Sequence, residues 1–363
     1  MTTMTATINA PNTTSSLLEW ATLETSQNPT DTLDQSPTIS TPIARAPLDA
    51  DLAAVHQGIP LLDIGTDKKR ATYREFVNSL FTLENTLRGH EDTVTYEERD
   101  IPGPAGPMRA TIFRPKHATR SVEATPGVLH IHGGGLTSGN RFLGLTMIDW
   151  VESLGAVLVT AEYRLAPEHP HPAPLEDSYA ALQWMGAHAA DLGFNPQRFI
   201  ITGGSAGGNL AAGVALLARD RNGPALCAQL LTYPWVDDRI DSPSIHQYGD
   251  IAPVTKDSLI ETSAMAFGEQ HQHADMYTAP GRATDLSGLP PTLIDVGEAD
   301  IFRDQDVAYA SGLWRGGVST ELHVWPGAWH GFDVFVPDAP VSRRAAAARL
   351  DWLHKLLDRP DRV

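Results

Sequence analysis

From residue 127 onwards, short apolar runs alternate with longer stretches in which apolar residues recur every three or four positions. Buried strands are predicted at 127–131, 156–161, 198–202, 225–233, 291–296 and 320–324. Amphipathic helices are predicted at 175–190, 206–219, 304–314 and 343–357. Strands that read as continuous apolar runs and are separated by helices are typical of a mostly parallel sheet covered on both faces. The pattern therefore predicts an α/β fold with a central sheet flanked by helices.

The pattern differs at the N-terminus and in one internal segment. Strands at 93–97 and 108–113 flank the Pro/Gly-rich turn 102–106, which predicts a hairpin. Helical spacing of apolar residues predicts a helix between Asp67 and Leu87, and a short helix is indicated around Leu17–Trp20. Segment 237–287 has helix-like pieces but no clear strand, so we interpret it as an insertion.

This pattern divides the chain into three parts. Residues 1–90 are expected to form an N-terminal arm and cap helices. Residues 91–236 and 288–363 form the α/β core, and 237–287 is the cap insertion. We expect both cap segments to pack together over the sheet.

Charge and cysteine content narrow the classes of partner and compartment. The sequence has 27 Lys and Arg against 44 Asp and Glu, a net charge of −17, which disfavours nucleic-acid and anionic-membrane binding. No apolar run approaches the ~18 residues of a membrane helix, and no basic residue precedes Arg45, so no secretory signal is indicated. Cys227 is the single cysteine, which excludes an internal disulfide and suits a reducing compartment. We expect a cytoplasmic protein.

Ser205 lies between a predicted strand and a predicted helix, in the segment Gly203-Gly204-Ser205-Ala206-Gly207. This is the context of a nucleophile elbow, where a strained serine needs small neighbours. The N–H of Ala206 would lie at the helix N-terminus and could stabilise an oxyanion. A phosphate-binding loop is the alternative, but no Lys follows at P-loop spacing.

A second glycine-rich turn follows the strand that ends at Ile131. In His132-Gly133-Gly134-Gly135, the glycines allow backbone N–H groups to approach a bound carbonyl oxygen. We predict that Gly133, Gly134 and Gly135 complete an oxyanion hole with Ala206. His132 is interpreted as a residue that shapes this loop.

Candidates for the general base, and for the acid that orients it, lie in the loops that follow the later strands. His330 lies in a loop that follows the strand at 320–324, at the end of the sheet from which a base could reach Ser205. The acid should fall between Ser205 and His330 in the chain. We predict Asp300 as this acid. Glu298 is the second candidate, and Asp295 lies within the strand and not in the loop that follows it. A helix N-cap is the alternative role for Asp300.

Metal or other cofactor binding is not expected. The sequence has neither an H-E-x-x-H motif nor a cysteine pair. Glu168, His169 and His171 are close in sequence, but the interleaved prolines favour a rigid surface loop.

Taken together, these motifs resemble the hormone-sensitive-lipase-like family of α/β-hydrolases, which includes bacterial carboxylesterases. The resemblance spans residues 95–358 and rests on five segments in order: His132–Gly135, Tyr163–Glu168, Gly203–Gly208, Asp300–Asp304 and His330–Phe332. It implies an α/β-hydrolase fold with a helical cap over an acyl pocket. It also implies Ser205, Asp300 and His330 as the catalytic triad, with oxyanion donors from Gly133–Gly135 and Ala206, above all Gly134 and Gly135.

Two positions depart from the family pattern. Gly204 stands where the family has Asp or Glu, and we expect the missing acidic side chain to alter loop order or substrate preference. Leu136 stands where the family has an aromatic residue, and we expect it to reshape the pocket wall.

The predicted function is serine-dependent hydrolysis of small carboxylic esters, of short to medium chain, through an acyl-enzyme intermediate. Lactones, amides and carbamates could be hydrolysed by the same triad. A binding protein that uses the hydrolase scaffold without catalysis is the alternative from another class. The sequence leaves open whether two copies form a homodimer.

Overall fold

The computed structural model of the protein describes residues 44–59, 61–117, 120–251, 253–268 and 273–358. The helix expected around Leu17–Trp20 lies outside these residues. The strands are β1 Val94–Gly103, β2 Gly106–Pro115, β3 Gly127–Ile131, β4 Val157–Ala161, β5 Phe199–Gly204, β6 Ala228–Thr232, β7 Thr292–Gly297 and β8 Thr320–Trp325. The helices are α1 Ala50–His56, α2 Asp67–Leu80, α3 Leu83–Leu87, α4 Asp149–Ser153, α5 Ala173–Ala187, α6 Ala189–Leu192, α7 Ala206–Asp220, α8 Pro243–Tyr248, α9 Lys256–Phe267, α10 Arg303–Arg315, α11 Phe332–Phe335 and α12 Pro340–Leu357.

One eight-stranded sheet forms the centre of the protein, in the order β1-β2-β4-β3-β5-β6-β7-β8. β2 pairs antiparallel with β1 and β4, and all pairs from β4 through β8 are parallel. Every residue of β3, β4, β6 and β7 is buried. The predicted α/β fold with a mostly parallel sheet is therefore confirmed.

The N-terminal hairpin is longer than the sequence pattern predicted. The segment 102–106 was expected as a turn, but Pro102 pairs with Pro107 and Gly103 with Gly106, so the turn shrinks to two residues. Pro102 is tolerated because β1 is an edge strand that pairs only with β2, and its missing N–H faces no second neighbour.

The helix expected over 67–87 is two helices. α2 ends at Leu80, and the Thr82 side chain accepts a hydrogen bond from the Asn85 N–H, which starts α3. Thr at an N-cap competes with helix continuation, since its hydroxyl replaces a backbone acceptor. The predicted helix 175–190 is likewise divided, into α5 and α6.

Apolar side chains cover both faces of the sheet. Along β3, Leu129 and Ile131 belong to the larger core cluster, together with residues of α5 and α7. Val128 belongs to the other cluster, with residues of α4 and α12. This alternation places the strand ends, and the loops that follow them, on a rigid support.

The N-terminal segment and the 237–287 segment contact each other. Among its described residues, 237–287 contains the helices α8 and α9 and no strand. The Leu62 N–H donates to the Pro253 carbonyl at 2.8 Å, and Arg45 forms an ion pair with Asp250 at 2.5 Å. These contacts join the two segments that we assign to a cap.

Candidate active site

Ser205 occupies the turn between β5 and α7, with φ 57° and ψ −124°. A positive φ at a non-glycine residue costs about 1–3 kcal/mol, so the surrounding contacts must hold it. Its N–H donates to Thr232 at 3.0 Å, and its carbonyl accepts from Asn209 at 3.0 Å. A side chain at position 207 could not be accommodated, since a Cβ there would lie 2.1 Å from the Ile131 carbonyl oxygen.

His330 joins Ser205 to Asp300 through one chain of hydrogen bonds. His330 Nδ1 lies 2.8 Å from Asp300 Oδ2, and His330 Nε2 lies 2.9 Å from Ser205 Oγ. Because a carboxylate accepts hydrogen bonds, Nδ1–H is the donor to Asp300. Nε2 is then free to accept from the serine hydroxyl. The structure thus brings together the three residues that the sequence singled out.

The structure distinguishes the three candidate acids. Asp300 Oδ2 contacts His330, while Oδ1 accepts from the Phe302 N–H at 2.9 Å. Phe302, not Asp300, is the N-cap of α10. Glu298 accepts from the Gly327 N–H at 3.0 Å, and Asp295 is engaged by Arg349 and Trp325. Of the three, Asp300 alone contacts the histidine.

The predicted oxyanion loop lies beside Ser205. Gly133, Gly134 and Gly135 line the same cleft as Ser205 and His330. Gly134 has φ 104°, and a Cβ there would lie 2.2 Å from the Ser138 carbonyl oxygen, so glycine is required. The N–H groups of Gly134, Gly135 and Ala206 form no hydrogen bond within the part of the chain that the structure describes. They are available to a substrate oxygen.

His132 supports this loop from below and does not reach Ser205. Its Nδ1 lies 2.8 Å from the Gly133 carbonyl oxygen, and its ring stacks on Tyr163 with centroids 4.1 Å apart. The Tyr163 hydroxyl donates to the His132 carbonyl at 3.0 Å. Burial lowers the pKa of His132, which keeps its ring neutral.

A cleft of about 720 Å³, part of it open to solvent, surrounds Ser205. The N-terminal segment supplies Leu62 and Tyr73, and the 237–287 segment supplies Pro253 and Val254. The core supplies His130, Leu143, Gly144, Thr146, Thr232, Tyr233, Val334 and Phe335. Most of these side chains are apolar, which suits the carbon chain of a small substrate.

Two aromatic residues that the sequence reasoning missed hold the His330 ring. Tyr233 and Phe302 contact it edge-on, with ring centroids 4.8 and 5.1 Å away. Tyr233 directly follows β6 and Phe302 lies two residues after Asp300. Position after a strand was the available signal, but nothing in the pattern indicated contact with His330.

The two departures from the family pattern have different structural consequences. Leu136 is fully buried and is not among the residues that line the cleft, so the expected change of the pocket wall at this position is wrong. Gly204 does line the cleft. A Cβ at this position would lie 2.7 Å from Thr232 Oγ1, so the threonine hydroxyl occupies the space that a side chain at 204 would need.

The loop that contains His169 and His171 is exposed at Glu168 and His169, as expected, but not at His171. His171 is buried, with its ring stacked on Phe267 at 5.3 Å between centroids, because its N–H donates to the Ala266 carbonyl and draws it under α9. Within the described ranges, one group of three potential metal ligands lies close together, His90, Asp149 and Glu152, and none of them lines the cleft. No helix among the described residues is long and apolar enough to span a bilayer.

Comparison with known proteins agrees with this geometry. The profile of a family described as having the α/β-hydrolase fold matches residues 128–334. Carboxylesterase NlhH of Mycobacterium tuberculosis is 40% identical over 304 residues, which cover 81% of this chain and 90% of the relative. Esterase LipI of the same species is 36% identical, over 71% of this chain and 81% of its own.

A solved structure shows the same architecture. A bacterial heroin esterase superposes with a TM-score of 0.78 at 35% identity and covers 86% of this chain and 98% of its own. The range matched by the family profile, 128–334, includes Ser205, Asp300 and His330. The chain therefore belongs to the hormone-sensitive-lipase-like family of α/β-hydrolases.

Proposed function

We propose that this carboxylic-ester hydrolase works by acyl transfer through Ser205, with His330 as general base and Asp300 as the acid that orients it. The observation that supports this assignment is the hydrogen-bond chain from Ser205 through His330 to Asp300. Gly134 and Gly135 line the same cleft, and their N–H groups, like that of Ala206 next to the serine, form no hydrogen bond with the described residues.

In the acylation step, Ser205 Oγ attacks the ester carbonyl carbon while His330 Nε2 takes the hydroxyl proton. The C–O double bond becomes a single bond, and the N–H groups of Gly134, Gly135 and Ala206 stabilise the oxyanion. Gly133 positions this loop beside the elbow. His330 then gives its proton to the leaving alcohol oxygen as the ester bond breaks.

Deacylation repeats these roles with water. His330 takes a proton from water, whose oxygen attacks the acyl carbon, and it returns the proton to Ser205 Oγ as the acid product leaves. Asp300 stabilises the imidazolium in both steps because its carboxylate stays hydrogen-bonded to Nδ1.

The cleft favours esters with short to medium acyl chains or small alcohols. Its cap side, which we assign to segments 1–90 and 237–287, contributes four residues, and the cleft has a volume of about 720 Å³, part of it open to solvent. Lactones, amides and carbamates fit the same chemistry, and a panel of these substrates would rank them.

The variant Ser205→Ala tests the assignment. We expect kcat for p-nitrophenyl butyrate to fall by at least about 10⁴-fold, since the nucleophile is lost. Ser311→Ala, at a half-buried position of α10 whose hydroxyl donates to the Val307 carbonyl of the same helix, is the matched control and should keep wild-type activity. Full activity in Ser205→Ala, or a folded wild-type chain that a fluorophosphonate does not label, would favour the non-catalytic binding role.

Location and assembly are further proposals. We propose a cytoplasmic location because Cys227 is the single cysteine and no internal disulfide is needed; burial raises the pKa of its thiol to about 12, which keeps it unreactive. A homodimer stays a prediction. Light scattering on the full chain and on a chain that begins at Ala44, which keeps the Arg45–Asp250 ion pair, would decide it.

A further inference from the structure

His130 lies on the floor of the cleft and has no part in the acyl-transfer chemistry. It is on β3, three residues before Gly133, and pairs in register with Thr202 of β5. Its side chain is 1% exposed, yet it is one of the residues that line the cleft. A histidine at this place is a polar group in a mostly apolar wall.

The hydrogen bonds around His130 define its tautomer. The Thr160 hydroxyl donates its proton to the Arg141 carbonyl at 2.7 Å. His130 Nδ1 lies 3.3 Å from the same hydroxyl oxygen. Since Thr160 has no second proton, Nδ1–H must be the donor in this contact. In the neutral ring, Nε2 then has a lone pair and no proton.

The Nε2 lone pair of His130 accepts no hydrogen bond from the part of the chain that the structure describes. Burial lowers the pKa of His130 to about 3, so the ring stays neutral at neutral pH. Nε2 is not one of the fully buried side-chain atoms that lack a partner, so it is accessible from the cleft that His130 lines, and a donor group of a ligand could bind its lone pair.

A second polar group faces the same cleft from the cap. Tyr73 of α2 lines the cleft, and its hydroxyl forms no hydrogen bond with the described residues. Burial raises the pKa of Tyr73 to about 12, so the phenol keeps its proton. The apolar cleft therefore has one pure acceptor on its floor and one hydroxyl on its cap side.

We propose that His130 Nε2 is a specificity-determining acceptor, and that the preferred substrates are carboxylic esters with a hydroxyl or N–H group on one arm. This inference rests on the proposed function, because it requires the ester carbonyl at Ser205. With the carbonyl oxygen held by the oxyanion loop at the end of β3, one arm of the ester extends toward the β3 side chain below. A donor on that arm completes the hydrogen bonding of His130.

The test compares matched esters that differ in one hydroxyl. For the acyl arm, the pair is p-nitrophenyl 3-hydroxybutyrate and p-nitrophenyl butyrate. For the alcohol arm, it is 2-hydroxyethyl butyrate and propyl butyrate. The readout is the ratio of kcat/KM for the hydroxylated ester to that for its partner, which does not depend on the fraction of folded enzyme.

We expect His130→Leu to lower this ratio about 2- to 10-fold for one of the two pairs, as loss of one hydrogen bond predicts. His130→Gln offers an amide oxygen and should restore most of the ratio. Tyr73→Phe removes the other polar group and should change the ratio less than His130→Leu does. Equal ratios in wild type and His130→Leu for both pairs would overturn the proposal.

Nitrogen-15 NMR of labelled histidine tests the tautomer without relying on a stable His130 variant. We expect Nδ1 protonated and Nε2 unprotonated, with the signals assigned by their shift in Thr160→Val. A protonated Nε2 in the free enzyme would refute the proposal. Failure of this proposal can be distinguished from failure of the proposed function. If butyrate hydrolysis survives Ser205→Ala, the mechanism is refuted. If hydrolysis depends on Ser205 but the ratios are unchanged in His130→Leu, only the role of His130 is refuted.

Discussion

At the residue scale, Asp300 uses its two carboxylate oxygens differently. One oxygen binds His330, and the other accepts from the Phe302 N–H and fixes the turn before α10. The side chain is fully buried, so water cannot replace either partner. This double attachment explains why the imidazole has one orientation.

Asp300→Asn should lower kcat about 10⁴-fold while the fold persists. The amide can donate to Nδ1 and thereby favour the tautomer in which Nε2 carries the proton and cannot act as base. Kinetics on p-nitrophenyl butyrate measure the loss. Glu298→Gln is the matched control, since the Glu298 carboxylate accepts a hydrogen bond from the Gly327 N–H and does not contact His330. A comparable loss there would show that the acid is misassigned.

Asp306 is a second buried carboxylate in this region and, unlike Asp300, it has no hydrogen-bond partner among the described residues. Asp306 of α10 is fully buried, and both its oxygens are unpaired. Burial, and then the charges of Asp300 and Asp295, raise its pKa well above the ordinary value. The Asp306 carboxyl keeps its proton in the folded protein. In the unfolded chain it loses this proton above about pH 3.9. Stability should therefore fall as the pH rises from there toward the folded-state pKa.

Asp306→Asn should remove this pH-dependent cost. We expect the difference in unfolding free energy between variant and wild type to grow by up to about 1.4 kcal/mol per pH unit above pH 4. Urea unfolding at pH 5, 7 and 8.5 measures it. Asp351→Asn, at an exposed ion pair with Lys355, provides the comparison. A difference that does not change with pH would mean that Asp306 is ionised in the folded protein.

The sequence could predict that Ser205, Asp300 and His330 come together, because each follows a predicted strand and their order along the chain is the one expected for this fold. It could not identify His130, Tyr233 or Phe302 as neighbours of the reacting atoms. Their positions in the site depend on which strands are adjacent and on which face each side chain lies. Strand order is not encoded in local periodicity.

At the element scale, Arg74 attaches the cap helix α2 to the oxyanion loop. Its Nε donates to the Thr137 carbonyl at 2.7 Å and its Nη2 to the Ala166 carbonyl at 2.9 Å. Both outer nitrogens also bind the Glu168 carboxylate at 2.8 Å. One planar side chain thus fixes three segments in one geometry.

Arg74→Met should destabilise the protein by about 1–3 kcal/mol, because charged hydrogen bonds and two carbonyl partners are lost. We also expect kcat to fall, since the loop that includes Gly134 loses its anchor. Urea unfolding and kinetics measure the two effects. Lys68→Met, at an exposed position on the same helix, also removes one positive charge and should cost less than about 0.5 kcal/mol. Equal effects at the two positions would contradict the anchoring role.

The contribution of the Arg74–Glu168 ion pair to the free energy of unfolding should depend on pH. The Arg74 guanidinium lowers the pKa of Glu168 to about 2, whereas an unfolded Glu titrates near 4.3. The ion pair therefore stabilises the fold above about pH 4.3, and this part is lost as the pH falls through about 2. The difference between wild type and Arg74→Met should be smaller at pH 3 than at pH 7.

At the scale of the whole molecule, a buried charge cluster joins the C-terminal helix to the sheet beneath the active site. Arg349 of α12 binds Asp295 of β7 at 2.8 Å and also Asp333 of α11. The Tyr233 hydroxyl donates to Asp333 at 2.8 Å, and the same Tyr233 ring contacts His330. The sequence pattern showed Asp295 as an acid within a strand, but its partner is 54 residues away and could not be predicted.

Arg349→Met should destabilise the protein by about 3–5 kcal/mol, because two buried carboxylates lose their cation and a hydrocarbon chain cannot replace it. Since Asp333 also fixes Tyr233, the remaining folded enzyme should show a lower kcat as well. Arg343→Met, an exposed position on the same helix, should stay within about 0.5 kcal/mol of wild type. If urea unfolding gave similar values for both variants, the cluster would not support the site, and the orientation of His330 would rest on Asp300 and Phe302 alone.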